Sequence, residues 1–166
     1  MEIKFDKILN SKEELEKIDR KKPENVAGLL VHTLCNYSIQ NDSNFYEMLQ
    51  YLYGEFQPIP NLMKQSIKDR MMQNEKYNFI GKSYFKGALP SNDYTPSEEY
   101  VIEVSENEYS RTEEGFVRLF FKSGGADSLR PITVRLAKDG NYYLWSDSIM
   151  GLLSDIRPKE SNNPWA

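Results

Sequence analysis

From Asn25 to Asn41 the chain carries no Asp, Glu, Lys or Arg, although 28% of its residues are charged. A stretch that excludes charge from so charged a chain belongs in a membrane or in a core. It is too short and too polar for a span, with His32, Thr33, Asn36, Ser38 and Gln40 inside it. Val26, Leu29, Leu30, Thr33, Leu34 and Tyr37 recur at three-and-four spacing, the mark of a helix with an apolar face. The run therefore reads as a buried helix that starts at Pro23-Glu24-Asn25 and ends near Tyr37.

Three further helices precede residue 76. Ser11 followed by Glu14 has capping-box spacing, which predicts a helix from Ser11 to about Ile18. Asp42 or Ser43 caps a third helix with Phe45, Met48, Leu49 and Leu52 on one face, and Gly54 ends it. Pro58 and Pro60 lead into a fourth near 61–74, with Met63, Ile67 and Met71 on one side.

After Tyr77 the period shortens and β-branched and aromatic residues accumulate. Tyr84–Leu89 is a strand or an extended edge, and Tyr100–Val104 alternates as a strand. Phe116–Phe121 is almost continuously apolar and belongs in the middle of a sheet. Ile132, Val134 and Leu136 alternate with Thr133 and Arg135. Asp139-Gly140 is a hairpin signal that returns the chain through Tyr142–Trp145. Asp147 or Ser148 caps a short helix to Leu153; residues 156–166 form an extended tail, and residues 1–10 a short strand or an irregular arm. Helices followed by strands predict an α+β fold: one domain over 1–166, with a helical half at about 11–76 packed on one face of an antiparallel sheet of four to five strands at about 83–153.

The net charge of −4 and pI near 5.2 argue against nucleic acid as a partner. The single cysteine excludes an intramolecular disulfide, and Met1-Glu-Ile-Lys-Phe-Asp-Lys does not open like a secretory leader; both favour a soluble, cytoplasmic protein. His32 and Cys35 lie three apart on one predicted helix, beside Asn36. A Cys-His-Asn nucleophile is one interpretation, but such triads assemble from separate elements, so packing neighbours are preferred. Two ligands are too few for a zinc site. Neither a phosphate-binding glycine loop nor a hydrolase or zinc-protease motif occurs, and no cofactor is expected. The carboxylates Glu98, Glu99, Glu103, Glu106, Glu108, Glu113 and Glu114 read as a solvated face.

The best candidate site is Ser123–Pro131, between two predicted strands. Paired glycines before Ala-Asp-Ser are turn chemistry, and the loop either fixes the register of a hairpin or presents free N–H groups to an anion. Asp127, Ser128, Arg130 and Arg135 are the candidate ligand-binding residues. Arg135 points away from Ile132, Val134 and Leu136, toward solvent or a groove. Arg130 shares the parity of the apolar face and needs a partner if buried; Asp127 is the nearest carboxylate. Trp165, in a polar tail, is expected to dock on the body.

Ser83-Tyr84-Phe85-Lys86-Gly87-Ala88, Asn92-Asp93-Tyr94-Thr95-Pro96, Ser123-Gly-Gly-Ala-Asp-Ser128, Arg130-Pro131-Ile132-Thr133-Val134-Arg135, Ile156-Arg157-Pro158 and Pro164-Trp165-Ala166 together resemble an uncharacterised family of small bacterial proteins. The helical half is similar too, from Asn25-Val-Ala-Gly-Leu-Leu onward, so the resemblance runs from about residue 23 to the end. Leu129 departs from the proline expected after Ala-Asp-Ser. The resemblance implies a single-domain bacterial protein and carries no activity, cofactor or catalytic residue. The function expected is a non-enzymatic binding or protein-interaction module, since aromatic residues suit contact surfaces. The alternative is a binder of a small anionic molecule, or an unassigned enzyme, with a pocket near Gly124-Gly125. A deep pocket converging on Arg130 and Asp127 separates the second from the first.

Overall fold

The uncharged run forms α2 (Pro23–Leu34), and ten of its twelve residues are buried. The expected apolar face is thus an apolar circumference. The computed structural model describes residues 1–165; Ala166, which closes the Pro164-Trp165-Ala166 stretch, lies outside them. Helix α2 ends three residues before Tyr37 because Asn36 Nδ2 donates to His32 O at 2.8 Å and to Leu9 O at 2.9 Å, taking over a carbonyl the helix would need to continue.

Five strands form one antiparallel sheet in chain order: β1 (Glu2–Phe5), β2 (Tyr100–Ser105), β3 (Phe116–Phe121), β4 (Arg130–Leu136) and β5 (Tyr142–Leu144). The central position of Phe116–Phe121 holds. Helix α2 meets every strand of the sheet. Val117, Leu119, Phe121, Ile132, Val134 and Leu144 point inward to it, and the alternate residues of β3 and β4 face out.

The fold is α+β, but the order of helices first and strands second holds only in part. Residues 2–5 form an edge strand with Ile3 opposite Ile102 and Phe5 opposite Tyr100. Gly28 lets the strand pack closely on α2: a Cβ there would stand 3.3 Å from Ile3 Cγ2 and 3.4 Å from Phe5 Cε2. Residues 84–89 form no strand. A 3₁₀ turn at Lys82–Tyr84 precedes one isolated bridge between Phe85 and Ile102, and Gly87, at φ +87°, turns the chain away.

Helix α1 (Lys12–Leu15) is shorter than the spacing suggests. Ser11 Oγ accepts from Glu14 N at 3.2 Å as a cap, while Glu14 turns its carboxylate to Asn10 N and to Lys7 at 2.6 Å. Helix α3 (Ser43–Tyr53) stops at Gly54, φ +81°, and α4 (Asn61–Met72) follows Pro60. Residues 148–152 are a 3₁₀ turn, with Ser148 Oγ bonded to Thr133 N and O rather than serving as a helix cap. Among the described residues no helix is long and apolar enough to cross a membrane.

Docking of Trp165 does not hold: the residue is 92% exposed. The tail is held without it, by buried Ile156, by Tyr94 Oη donating to Arg157 O, and by Ser161 Oγ on Asp93 at 2.7 Å. With three anchors upstream, nothing draws the indole inward.

His32 sits on α2 between the rings of Phe5 and Phe85, at centroid distances of 4.2 and 5.5 Å. Its Nδ1 accepts from Leu9 N at 2.9 Å, so the neutral imidazole carries its proton on Nε2. Burial, only partly opposed by Glu14, pushes its pKa from 6.5 down to about 4. Between those values the unfolded chain holds a proton that the folded chain refuses, so stability falls as pH drops through that window and levels off below it. The expected loss is at most about 3 kcal/mol. Urea midpoints measured from pH 7 to 4.5 should show this slope in the native protein and lose most of it in His32→Gln.

Candidate functional site

The loop after β3 is packed, and its backbone groups are occupied. Ser123 Oγ lies 3.1 Å from both Ser83 O and Ser83 Oγ, and accepts from Gly125 N at 3.2 Å. Gly124 N donates to Ser83 O at 2.9 Å, Ala126 N to Ser123 O at 3.3 Å, and Arg157 N to Gly125 O at 3.0 Å. Neither glycine has positive φ. They are required by close approach: a Cβ on Gly124 would fall 1.9 Å from Ala88 O, and one on Gly125 2.3 Å from Tyr94 Oη. The loop stitches the sheet to residues 83–94 and to the tail, and its N–H groups at 124–126 are not turned toward a ligand.

The four candidate residues do not come together. Asp127 pairs with Arg157 at 3.0 Å rather than with Arg130, and its side chain is 94% exposed. The bond from Arg157 N to Gly125 O brings the tail to Asp127, whereas Arg130 is already paired in β4 opposite Phe121. Arg130 is half-buried and donates from Nη2 to Asp155 O at 3.2 Å. Ser128 is exposed. Arg135 lies toward the other end of β4, opposite Phe116. A concavity of about 320 Å³ does adjoin the loop, but Tyr84, Ala88, Glu103, Lys122 and Gly124 line it in place of Asp127 and Arg130.

His32 and Cys35 are packing residues. His32 bonds the backbone, and burial pushes the Cys35 thiol up to about 12, which suppresses the thiolate. Among the described residues no cluster of three or more His, Cys, Asp or Glu is placed to hold a metal.

The outer face of the sheet is where chemistry gathers. Phe116, Arg118 and Phe120 on β3 face out beside Thr133 and Arg135 on β4. Trp145, just past β5, joins them through its backbone N–H, which donates to Thr133 O at 3.0 Å. The Arg135 guanidinium lies 4.8 Å from the Phe116 ring centre and 4.5 Å from that of Trp145. The two rings meet edge to face at 5.4 Å. Trp145 separates two hollows. One, about 340 Å³, runs over Phe56, Gln57, Arg135, Lys138 and Tyr143. The other, about 260 Å³, has Arg118, Thr133, Ser146, Asp147 and Gly151 in its wall.

Phe56 is 64% exposed and packs edge-on against Tyr143 at 4.9 Å. Tyr143 Oη donates to Asp139 at 2.5 Å, and this bond, with one from Asn141 N, holds the Asp139 carboxyl below its usual range. Burial, then that same bond, pushes the Tyr143 phenol up, so it stays a neutral donor. Arg20 covers the far side, 4.6 Å from the Tyr143 ring centre. Sequence reasoning placed Arg135 outward but missed the stack. The Asp139-Gly140 hairpin carries the signal for Trp145, because it sets Arg135 opposite Tyr143. No local pattern points to Phe56.

Fold and surface define an α+β domain whose sheet wraps a buried helix on one side and presents an arginine–aromatic face on the other. The chain belongs to the family described as a domain of unknown function (DUF6935), whose model matches residues 7–160. The match begins earlier than residue 23 and ends before Pro164-Trp165. No curated protein and no solved structure matches the chain.

The packed loop makes a direct prediction. Gly124→Ala should cost about 1–3 kcal/mol or more, because Ala88 O is backbone and cannot move aside cheaply. Asp127→Ala should leave the denaturation midpoint nearly unmoved, since an exposed ion pair contributes little. Urea unfolding of both variants checks the ranking, and the reverse order would overturn the structural role given to the loop.

Proposed function

We propose that this protein is a non-enzymatic binding module of the bacterial cytoplasm that takes a protein partner on the outer face of its sheet. The observation that carries this is the state of Arg135. Two aromatic rings hold its guanidinium, yet among the described residues it has no hydrogen-bond or ion-pair partner. Its five N–H donors are pre-oriented and unused. Arginine and aromatic residues are the types enriched where protein surfaces meet, and a pre-ordered side chain loses less entropy on binding.

The partner chemistry follows from the surroundings. Arg135, Arg118 and Lys138 favour a segment bearing carboxylates, while Phe56, Tyr143 and Trp145 form a hollow for an apolar side chain. The lone free thiol, Cys35, agrees with a reducing compartment.

Peptides selected from a displayed random library on the native protein should combine acidic residues with an aromatic or aliphatic one. Arg135→Ala and Phe56→Ser, both at exposed positions, should each weaken the selected peptides by about tenfold or more while leaving the melting temperature unchanged. Selection that enriches no sequence, or peptides that bind Arg135→Ala as tightly as the native protein, would contradict the interaction reading.

A further inference from the structure

At the start of β4, away from Arg135, three cationic side chains from separate parts of the chain close on three consecutive residues. Arg70, in the last turn of α4, donates from Nη1 to Ser154 Oγ. Lys76, only 4% exposed, donates from Nζ to Leu153 O at 3.0 Å. Arg130 donates from Nη2 to Asp155 O at 3.2 Å. Among the described residues none of the three forms an ion pair; the carboxylates that pair do so elsewhere.

The Asp155 carboxylate acts on this gathering, and its single charge leaves the three cations in excess. Burial first, and then Arg70 and Arg130, push the Lys76 ammonium pKa down, opposed by Asp155. Two guanidiniums and an ammonium carry roughly thirteen N–H donors between them. The 153–155 segment and Gln73 Oε1, 3.5 Å from Lys76 Nζ, take four of these. Arg130 Nε is shut from solvent and has no acceptor. The backbone around the cluster is also held in a conformation that non-glycine residues seldom adopt: Asn74 and Glu75, just before Lys76, both have φ 53°, and Asp155 has φ 54°.

We propose that Arg70, Lys76 and Arg130 form a binding site for a phosphate-type oxyanion, either inorganic phosphate or the phosphoryl group of a small phosphomonoester. A tetrahedral dianion brings two charges and several acceptor oxygens to a cluster with surplus positive charge and unused donors. Arginine forks set the orientation, and the lysine adds a point charge. Arg70, Arg130 and Ser154 are each half-buried, so each keeps some surface within reach of a solute. The site is separate from the Arg135 face and does not depend on it.

The alternative is that the cations only staple residues 153–155 in place. Arginine Nε–H resonances of the full chain, titrated with sodium phosphate, with glycerol phosphate, and with sodium chloride at equal ionic strength, distinguish the two. The Arg70 and Arg130 signals should move along a saturating curve with either or both phosphates and not with chloride; the phosphate that saturates at the lower concentration identifies the source. Arg70→Gln, at the half-buried end of α4, should keep the fold and weaken binding about tenfold or more, whereas Arg135→Ala should leave it unchanged. Unsaturated drift with both phosphates, equal shifts with chloride, or full affinity in Arg70→Gln would each leave only the staple and overturn the site.

Discussion

Helix α2 lies against all five strands with ten of its twelve residues shut from water, and the remaining elements are arranged to keep it so. Val26, Leu29, Leu30, Val31 and Leu34 are each fully buried. At roughly 1.5–3 kcal/mol per aliphatic side chain, these five alone are comparable to the net stability of a small domain before chain entropy is counted. Most polar groups on the helix are satisfied locally: Thr33 Oγ1 bonds Leu29 O at 2.9 Å and His32 Nδ1 takes the Leu9 N–H, leaving His32 Nε2 buried without a partner. The helix can be surrounded because little on it requires solvent.

That enclosure decides where function can reside. The inner face of the sheet is spent on α2, leaving the outer face and the rims. On the outer face the alternation of β3 and β4 that buries Val117 and Val134 also exposes Phe116 and Arg135. The aromatic–arginine stack is thus the other side of the core pattern. On the rim, the segment that follows β5 must return past the end of α4 and the start of β4, and Arg70, Lys76 and Arg130 converge on it there. Both cationic features belong to a chain with net charge −4, so they are local concentrations against an acidic background.

Much of the fold could be read from local pattern. The uncharged run located α2, Gly54 ended α3, and the apolar Phe116–Phe121 run took the central strand, because periodicity and turn chemistry act over a few residues. What escaped depends on approach between distant segments. β1 needed a partner about a hundred residues away, and it packs against Gly28 on α2. The paired glycines of the loop read as turn residues, yet they answer to the close approach of Ala88 O and Tyr94 Oη. Asp127 found Arg157, thirty residues on, rather than its neighbour Arg130. Of the candidate site, alternation along β4 put Arg135 outward and Arg130 on the parity of the apolar face, as they lie, but the groups they contact are on other elements.

Amide hydrogen exchange in α2 tests the dependence of the whole fold on this helix most directly. If the helix is the element around which the rest is built, the amides of Leu29, Leu30 and Val31 should exchange only through global unfolding, at the slowest rates in the chain and with the denaturant dependence of complete unfolding. Exchange of these amides through a local opening, faster than that of Leu119 and Val134 in the sheet, would show that the strands hold together without α2 and would contradict the account.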